Sequence, residues 1–341
     1  METALSLPRL IVAGWRRARL SCRARWHRVG PPRIRRLILM LQNECALRCR
    51  MCDLWLEPKT RFPREKILPL LSSGVLNPRA SVHLTGGEPF LYADFASLYA
   101  EIRTACPENL MSISSSGVPS QAVIDFLRRG PDLERTSLVF SFDGVGAHDA
   151  QRGRPGTELE LLSLLTTIRR MSPRARITLN CTITPWNAGA VRATFQKSRE
   201  LGVGMHFNLA ADLPEYTNPR RRPADGEEAF PFTEQARRRL RDDLCFVFNG
   251  LSFRRDRQEM GHLLRLIEDL RDGLALRPAS SCPVPSQSAF IRCDGALLTC
   301  RGCAPVGNVL HEDLETAWNS AAARRLRREG CGRCERHYDE F

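Results

Sequence analysis

A chain of 341 residues that is 43% hydrophobic and 26% charged has apolar material for one large core, or one core with an appendage, and reads as a soluble enzyme-sized protein. Its 13 cysteines are odd in number and gather in C-x2-C pairs, which excludes the disulfide framework of a small secreted domain and points to metal in a reducing, cytosolic setting. No apolar run approaches the ~18 residues that span a bilayer, no secretory signal opens the chain, and most of the formal charge of +13 sits in residues 1–36, where ten Arg face one acid, Glu2.

That basic segment comes first in chain order. Ile11, Trp15, Ala18, Cys22 and Trp26 recur at steps of three and four, with Arg16, Arg17, Arg19, Arg23 and Arg25 between them. The spacing predicts a basic amphipathic helix, suited to an anionic membrane surface or an acidic partner, or else a solvated helix packed on the core by its two Trp. A mitochondrial presequence shares this Arg-rich, acid-poor composition. From residue 37 onward, β-rich runs over 37–42, 81–85, 111–116, 137–143, 176–184 and 203–209 alternate with helical segments such as 95–106, 121–129, 158–171 and 188–201. Six strands joined by helical crossovers predict a parallel α/β sheet, either open and doubly wound or a partial barrel.

Side-chain alternation favours the barrel. One face of the strands carries Leu84, Ile113, Leu138, Phe140, Phe142, Leu179, Cys181 and Phe207, and the other carries His83, Thr85, Ser112, Ser114, Ser116, Ser141, Asp143, Asn180, Thr182, His206 and Asn208. A parallel sheet buried on both faces reads as continuous apolar runs, so a polar face predicts a lumen for solvent or a polar ligand, with functional groups near the C-terminal strand ends. Any single Ser or Thr there can equally satisfy a local backbone group.

Straight after the first strand, "NECALRCRMCDLW" (43–55) sets Cys45, Cys49 and Cys52 in a C-x3-C-x2-C arrangement. Structural zinc closes its shell with four ligands, whereas a 4Fe-4S cluster on three thiolates leaves one iron open to a substrate or cosubstrate. After the second strand come Gly86-Gly87-Glu88-Pro89, two glycines that permit close approach of a ligand and a carboxylate able to accept from an ammonium. Ser141-Phe142-Asp143-Gly144 ends the fourth strand. This ordered set, over about residues 37–210, resembles the radical S-adenosylmethionine (SAM) superfamily. The resemblance implies a partial (β/α)6 TIM-like barrel in which Cys45, Cys49 and Cys52 hold the cluster and SAM is cleaved to methionine and a 5′-deoxyadenosyl radical. It places Gly86, Gly87 and Glu88 at the methionine ammonium, and Ser116, Ser141, Asp143 and Asn180 at the ribose or carboxylate. Met51 stands where the family often has an aromatic beside the adenine, and a thioether still packs on a purine face.

The C-terminal segment has a second cysteine set. Cys282, Gly295, Cys300, Gly307-Asn308, Trp318-Asn319 and Cys331-x2-Cys334 resemble the SPASM and twitch extensions that bind auxiliary clusters in this superfamily. With no cysteine after Cys334, the shorter single-cluster twitch form fits better, with Cys282, Cys300, Cys331 and Cys334 as ligands and Cys293 and Cys303 as spares. A zinc ribbon is the structural alternative. The expected organisation is a basic segment (1–36), the barrel (37–210), a Pro-rich charged loop and helical linker (211–279) and the cysteine-rich extension (280–341). Cys106, Cys181 and Cys245 read as core, His148 as a loop residue, and Arg152 as a further residue near SAM.

The resemblance implies hydrogen abstraction from an unactivated carbon of a peptide or polar metabolite, leading to oxidation, crosslinking or epimerisation. A reductant such as flavodoxin or ferredoxin supplies electrons. With 44 residues ahead of Cys45, a peptide substrate is expected to need a separate leader-binding protein. The Arg-rich start admits a lipid substrate and peripheral membrane attachment. The body is only mildly basic and carries no RNA-binding motif, so nucleic acid is not the expected partner. A non-catalytic iron or zinc protein is the remaining alternative.

Overall fold

The computed structural model describes residues 32–210, 230–272, 284–300 and 303–329. The N-terminal amphipathic pattern, most of the Pro-rich loop, and Cys282, Cys331 and Cys334 lie outside the described residues. Six parallel strands come first: β1 (Ile34–Met40), β2 (Leu76–Thr85), β3 (Leu110–Ser115), β4 (Thr136–Ser141), β5 (Arg176–Ile183) and β6 (Gly204–Leu209). Helices run between them: α1 (Arg64–Leu71), α2 (Phe95–Ala105), α3 (Ser120–Arg128), α4 (His148–Arg152), α5 (Thr157–Met171) and α6 (Val191–Glu200). Each strand connects to its spatial neighbour through a helical crossover, and the sheet does not close.

The period of two decides which side of the sheet is core. In β5, Ile177, Leu179, Cys181 and Ile183 are buried toward the helices, while Thr178, Asn180 and Thr182 between them are half-buried on the concave side. Strand register stacks the concave positions into rows. Ser141 pairs with Asn180 and Asn180 with His206, while His83 pairs with Ser112 and Ser112 with Ser137. The polar lumen read from the alternation is therefore a set of cross-strand rows. At the other end, Ile38, Met40, Phe290 and Leu298 form an apolar wall of their own.

Three further strands were not legible: β7 (Ser288–Ile291), β8 (Ala296–Leu298) and β9 (Gly307–Asn308). Each is too short for a period to declare itself. β7 adds to β1 in parallel, β8 and β9 follow antiparallel, and one nine-stranded sheet results. The extension is thus zipped onto the barrel. It is also pinned by Trp318, fully buried at the end of α9 (Leu314–Trp318), whose Nε1–H donates to the Pro32 carbonyl at 2.7 Å. Arg327 of α10 (Ala321–Glu329) stacks 4.1 Å from that indole.

The other edge of the arc is sealed by side chains. The linker helices α7 (Glu234–Asn249) and α8 (Arg257–Asp272) pack together, and α8 lies along β6. Glu259 of α8 accepts the Phe207 N–H at 3.4 Å and pairs with His206 at 2.5 Å, while His262 meets the Phe207 carbonyl at 2.7 Å. An edge strand normally presents such groups unpaired, and here a helix supplies their partners.

Candidate cofactor site at the strand ends

β1 runs into a loop, residues 41–53, held from two sides. On one side it lies against the turn after β2: Gly87 donates to the Gln42 carbonyl at 2.7 Å, Glu88 N–H to the Glu44 carbonyl at 2.8 Å, and Gln42 Nε2 to the Glu88 carbonyl at 2.9 Å. A Cβ on Gly86 would sit 2.2 Å from the Gln42 carbonyl oxygen, and one on Gly87 would sit 2.2 Å from that of Glu44. The glycine pair, expected to admit a ligand, is required because the cysteine loop's own backbone occupies that space. On the other side, Arg50 N–H donates to the Gln151 carbonyl at 2.9 Å, and a Cβ on Gly153 (φ +71°) would meet the Arg48 carbonyl at 2.3 Å. Glu44 braces the outer rim by pairing with Lys59 and Arg61, each at 3.0 Å, and those bonds hold its carboxyl below the usual range.

Cys45, Cys49 and Cys52 are free thiols gathered on this loop, packed with Leu47, Met51 and Val118. Burial pushes the Cys45 thiol up to about 11 and the Cys52 thiol up to about 12, with Cys49's charge adding to both. Buried thiols that feel one another are costly to ionise without a cation. Among the described residues no three His, Cys, Asp or Glu side chains converge as they would on a single ion. The donor set fits a wider thiolate-ligated group, such as an iron–sulfur cluster.

Glu88 has an employment that its motif did not reveal. Its carboxylate is 1% exposed and takes four donors: Phe90 N–H (3.3 Å) and Ser115 Oγ (2.8 Å) on one oxygen, Ser116 N–H (2.9 Å) and Ser116 Oγ (2.7 Å) on the other. Burial pushes its carboxyl up, and these donors oppose that. Four donors fill a carboxylate's acceptor positions, so all of the partners seen for Glu88, the residue expected at a ligand ammonium, come from the protein itself. It buckles the end of β3 to the turn after β2, and Ser116, expected at the ribose or carboxylate of SAM, is the other half of the buckle. Phe90 anchors the same turn in the core, 4.9 Å from Phe95 and 5.3 Å from Phe126 ring to ring.

Asp143, expected at the ribose or carboxylate of SAM, also has protein partners on both oxygens. It is fully buried; Oδ2 lies 2.7 Å from Arg152 Nε, and Oδ1 accepts the Thr182 N–H at 2.9 Å. Arg152 in turn brings Nη1 to 3.6 Å from Cys49 Sγ. Burial opposes the guanidinium's charge, but Asp143 and Cys49 together hold its pKa above the ordinary value. His148 is not a loop residue: it opens α4, is 1% exposed, and accepts the Asp143 N–H on Nδ1 at 3.1 Å. Burial, followed by the Arg152 charge, drops it to about 3, so it is neutral with the proton on Nε2. Ser141 and Asn180 remain half-buried on the lumen face, with Asn180 Oδ1 accepting from Asn208 at 2.9 Å. No spacing in the sequence announced the Arg50 guanidinium 4.0 Å over the Trp186 ring, a contact that ties the cysteine loop to the loop after β5. In the extension, Cys300 and Cys303 are half-buried, and burial pushes Cys293 up to about 11.

Comparison with known proteins agrees with this geometry. Residues 282–335 match the SPASM family, an iron–sulfur cluster-binding domain. SuiB of Streptococcus suis bound to S-adenosylmethionine superposes with a TM-score of 0.61 at 14% identity, over 96% of this chain and 75% of that one. Its complex with the precursor peptide SuiA superposes with the same score over 96% and 73%. The enzyme anSMEcpe, with AdoMet and the Cp18Cys peptide bound, gives 0.60 at 14% identity over 87% and 82%. The chain shares the partial-barrel fold of these structures, with a SPASM-matching segment at 282–335. No curated protein matches the sequence. In this barrel the cysteine loop, the Gly-Gly-Glu-Pro turn and the Ser-Phe-Asp-Gly turn all lie at the C-terminal strand ends, the face on which such barrels gather functional groups.

Proposed function

We propose that this chain is a radical SAM enzyme that removes a hydrogen atom from an unactivated carbon of a peptide. The observation that carries the reading is the rigid loop of three free thiols, locked between two turns, at the mouth of a lumen lined by polar rows. When bound to Cys45, Cys49 and Cys52, a 4Fe-4S cluster supplies the electron that cleaves SAM to methionine and a 5′-deoxyadenosyl radical. The protein's own residues position and shield. Ser141 and Asn180 face the space for the polar parts of SAM, with the Gly86-Gly87 turn beside the cysteine loop. Met51, half-buried among Leu47 and Val118, offers a thioether surface for the adenine. The wall of Ile38, Met40 and Phe290, against which Cys52 packs, keeps water from one side of the loop.

A peptide is favoured over a lipid or RNA by the peptide-bound relatives of the same fold, SuiB with SuiA and anSMEcpe with Cp18Cys. Cys282, Cys300, Cys331 and Cys334 would hold one auxiliary cluster that takes up an electron from the substrate. A flavodoxin or ferredoxin would reduce the first cluster, a separate protein would present the peptide leader, and residues 1–36 would attach the enzyme to an anionic membrane surface. Among the described residues no helix is long and apolar enough to cross a membrane.

The test is anaerobic reconstitution with SAM and dithionite, followed by mass spectrometry for 5′-deoxyadenosine. The wild type should form it and carry about eight irons, as two four-iron clusters require. Cys49→Ala should form none, and Cys331→Ala with Cys334→Ala should fall to about four irons while still cleaving SAM. Wild-type yield from Cys49→Ala would overturn the reading, and zinc in place of the second set of irons would replace the auxiliary cluster with a structural staple.

A further inference from the structure

A buried cation touches the middle thiol of the C-x3-C-x2-C loop, and a buried anion holds that cation in place. Resting on the reading of Cys45, Cys49 and Cys52 as a cluster loop, we propose that Arg152 and Asp143 form a positioning pair that sets the reduction potential of that cluster, the guanidinium raising it and the carboxylate lowering it.

The geometry is that of a fixed charge pair pointed at one ligand. Cys49 and Arg152 are each 8% exposed and Asp143 is fully buried, so little solvent screens the three. Arg152 is the nearer charge, with Nη1 at 3.6 Å from Cys49 Sγ. Asp143 stands behind it at 2.7 Å. The carboxylate cannot swing away: Thr182 N–H holds Oδ1, while the Asp143 backbone is held by His148 Nδ1 and by Asn187 Nδ2 at 2.7 Å. Arg152 ends α4, and the same turn docks on the cysteine loop through Gln151 and Gly153, so loop and cation are placed as one unit.

Reduction adds negative charge to a thiolate-bound cluster. Net charge nearby, hydrogen bonds to the sulfurs and solvent exposure are the levers a protein has on that step. Arg152 supplies the first two: a positive charge and an N–H directed at a ligand sulfur. Asp143 offsets part of the first. A pair that only held the fold together would not act in opposite directions on the potential when its members are neutralised one at a time.

The experiment is a potentiometric titration of the full reconstituted chain without SAM, followed by electron paramagnetic resonance, with the first cluster's signal defined as the one lost in Cys49→Ala. Arg152→Gln should shift its midpoint to more negative potential, Arg152→Lys less far, and Asp143→Asn to more positive potential. The Arg152→Gln, Asp143→Asn double variant should return toward the wild type. Shifts of one sign in both single variants, or no shift, would overturn the proposal. If Arg152→Gln takes up no cluster, Asp143→Asn decides alone, and a zero or negative shift defeats the idea. A wild type without any signal that Cys49→Ala removes would defeat the cluster reading itself, and this proposal with it.

Discussion

Ser116 gives Glu88 both of its donors: the backbone N–H at 2.9 Å and the hydroxyl at 2.7 Å reach the same carboxylate oxygen. The contact joins the turn after β2 to the end of β3 across the lumen rim. Glu88→Ala would leave buried donors on Ser115, Ser116 and Phe90 without their acceptor, at about 1–3 kcal/mol for such a group. We expect Glu88→Ala to lower stability in urea titration by about 3 kcal/mol and Glu88→Gln, which keeps an acceptor oxygen, by less. A Glu88→Gln protein of undiminished stability whose SAM affinity collapses in calorimetry would instead return Glu88 to the ligand.

Gly87 tests the docking of the cysteine loop. Gly87→Ala would push a methyl group to within 2.2 Å of the Glu44 carbonyl, a backbone atom held by its own hydrogen bond to Glu88 N–H. The loop must shift while the helix-side core stays in place. The expected result is a protein with native far-ultraviolet circular dichroism and much reduced iron at the first site after reconstitution. Full iron uptake would show that the loop's position is not critical to the thiols.

His148 predicts how stability depends on acid. Its pKa falls from the ordinary 6.5 to about 3, through burial first and the Arg152 charge second. Between those values the unfolded chain binds a proton that the folded chain refuses. This group's contribution is therefore complete above about pH 6.5 and is lost as pH falls toward 3, with a slope of at most about 1.4 kcal/mol per pH unit. Urea titrations at a series of pH values should show a shallower loss in His148→Gln than in the wild type across that window; parallel curves would exclude the effect.

Trp318 couples extension to barrel. Removing a fully buried indole that also bonds the Pro32 carbonyl should cost about 3–5 kcal/mol. Thermal unfolding of Trp318→Ala should begin earlier than in the wild type, and Trp318→Phe, which keeps an aromatic ring but loses the bond to Pro32, should lie between them. Equal midpoints for all three would mean that β7 alone carries the attachment.

The six barrel strands were legible because their alternation is regular: Leu179 and Cys181 face the helices and Asn180 the lumen, as a period of two requires. The cysteine loop was legible because chemistry limits what three closely spaced thiols can serve. The partners of Glu88 and Asp143 were not, because a carboxylate in a motif looks the same whether it faces a ligand or a neighbouring strand. Only the fold brings Ser116 and Arg152 to them. The close approach of the glycine pair to the Gln42 and Glu44 carbonyls was not legible either, because the motif does not say which backbone lies against it. The strands β7 to β9 escaped because four residues or fewer carry no period, and Glu259 and His262 because helix α8 lies more than fifty residues from the strand it covers.

The pairing of Glu259 and His262 with Phe207 bears on how the proposed peptide substrate would arrive. Many proteins capture an extended peptide by adding it as an extra strand at an open sheet border, where main-chain groups await a partner. At the middle of β6 that route is closed, because the amide and carbonyl of Phe207 already have partners from α8. The peptide proposed as substrate would therefore gain no backbone pairing with Phe207, and at this border its recognition would rest on side chains and on local residue identity.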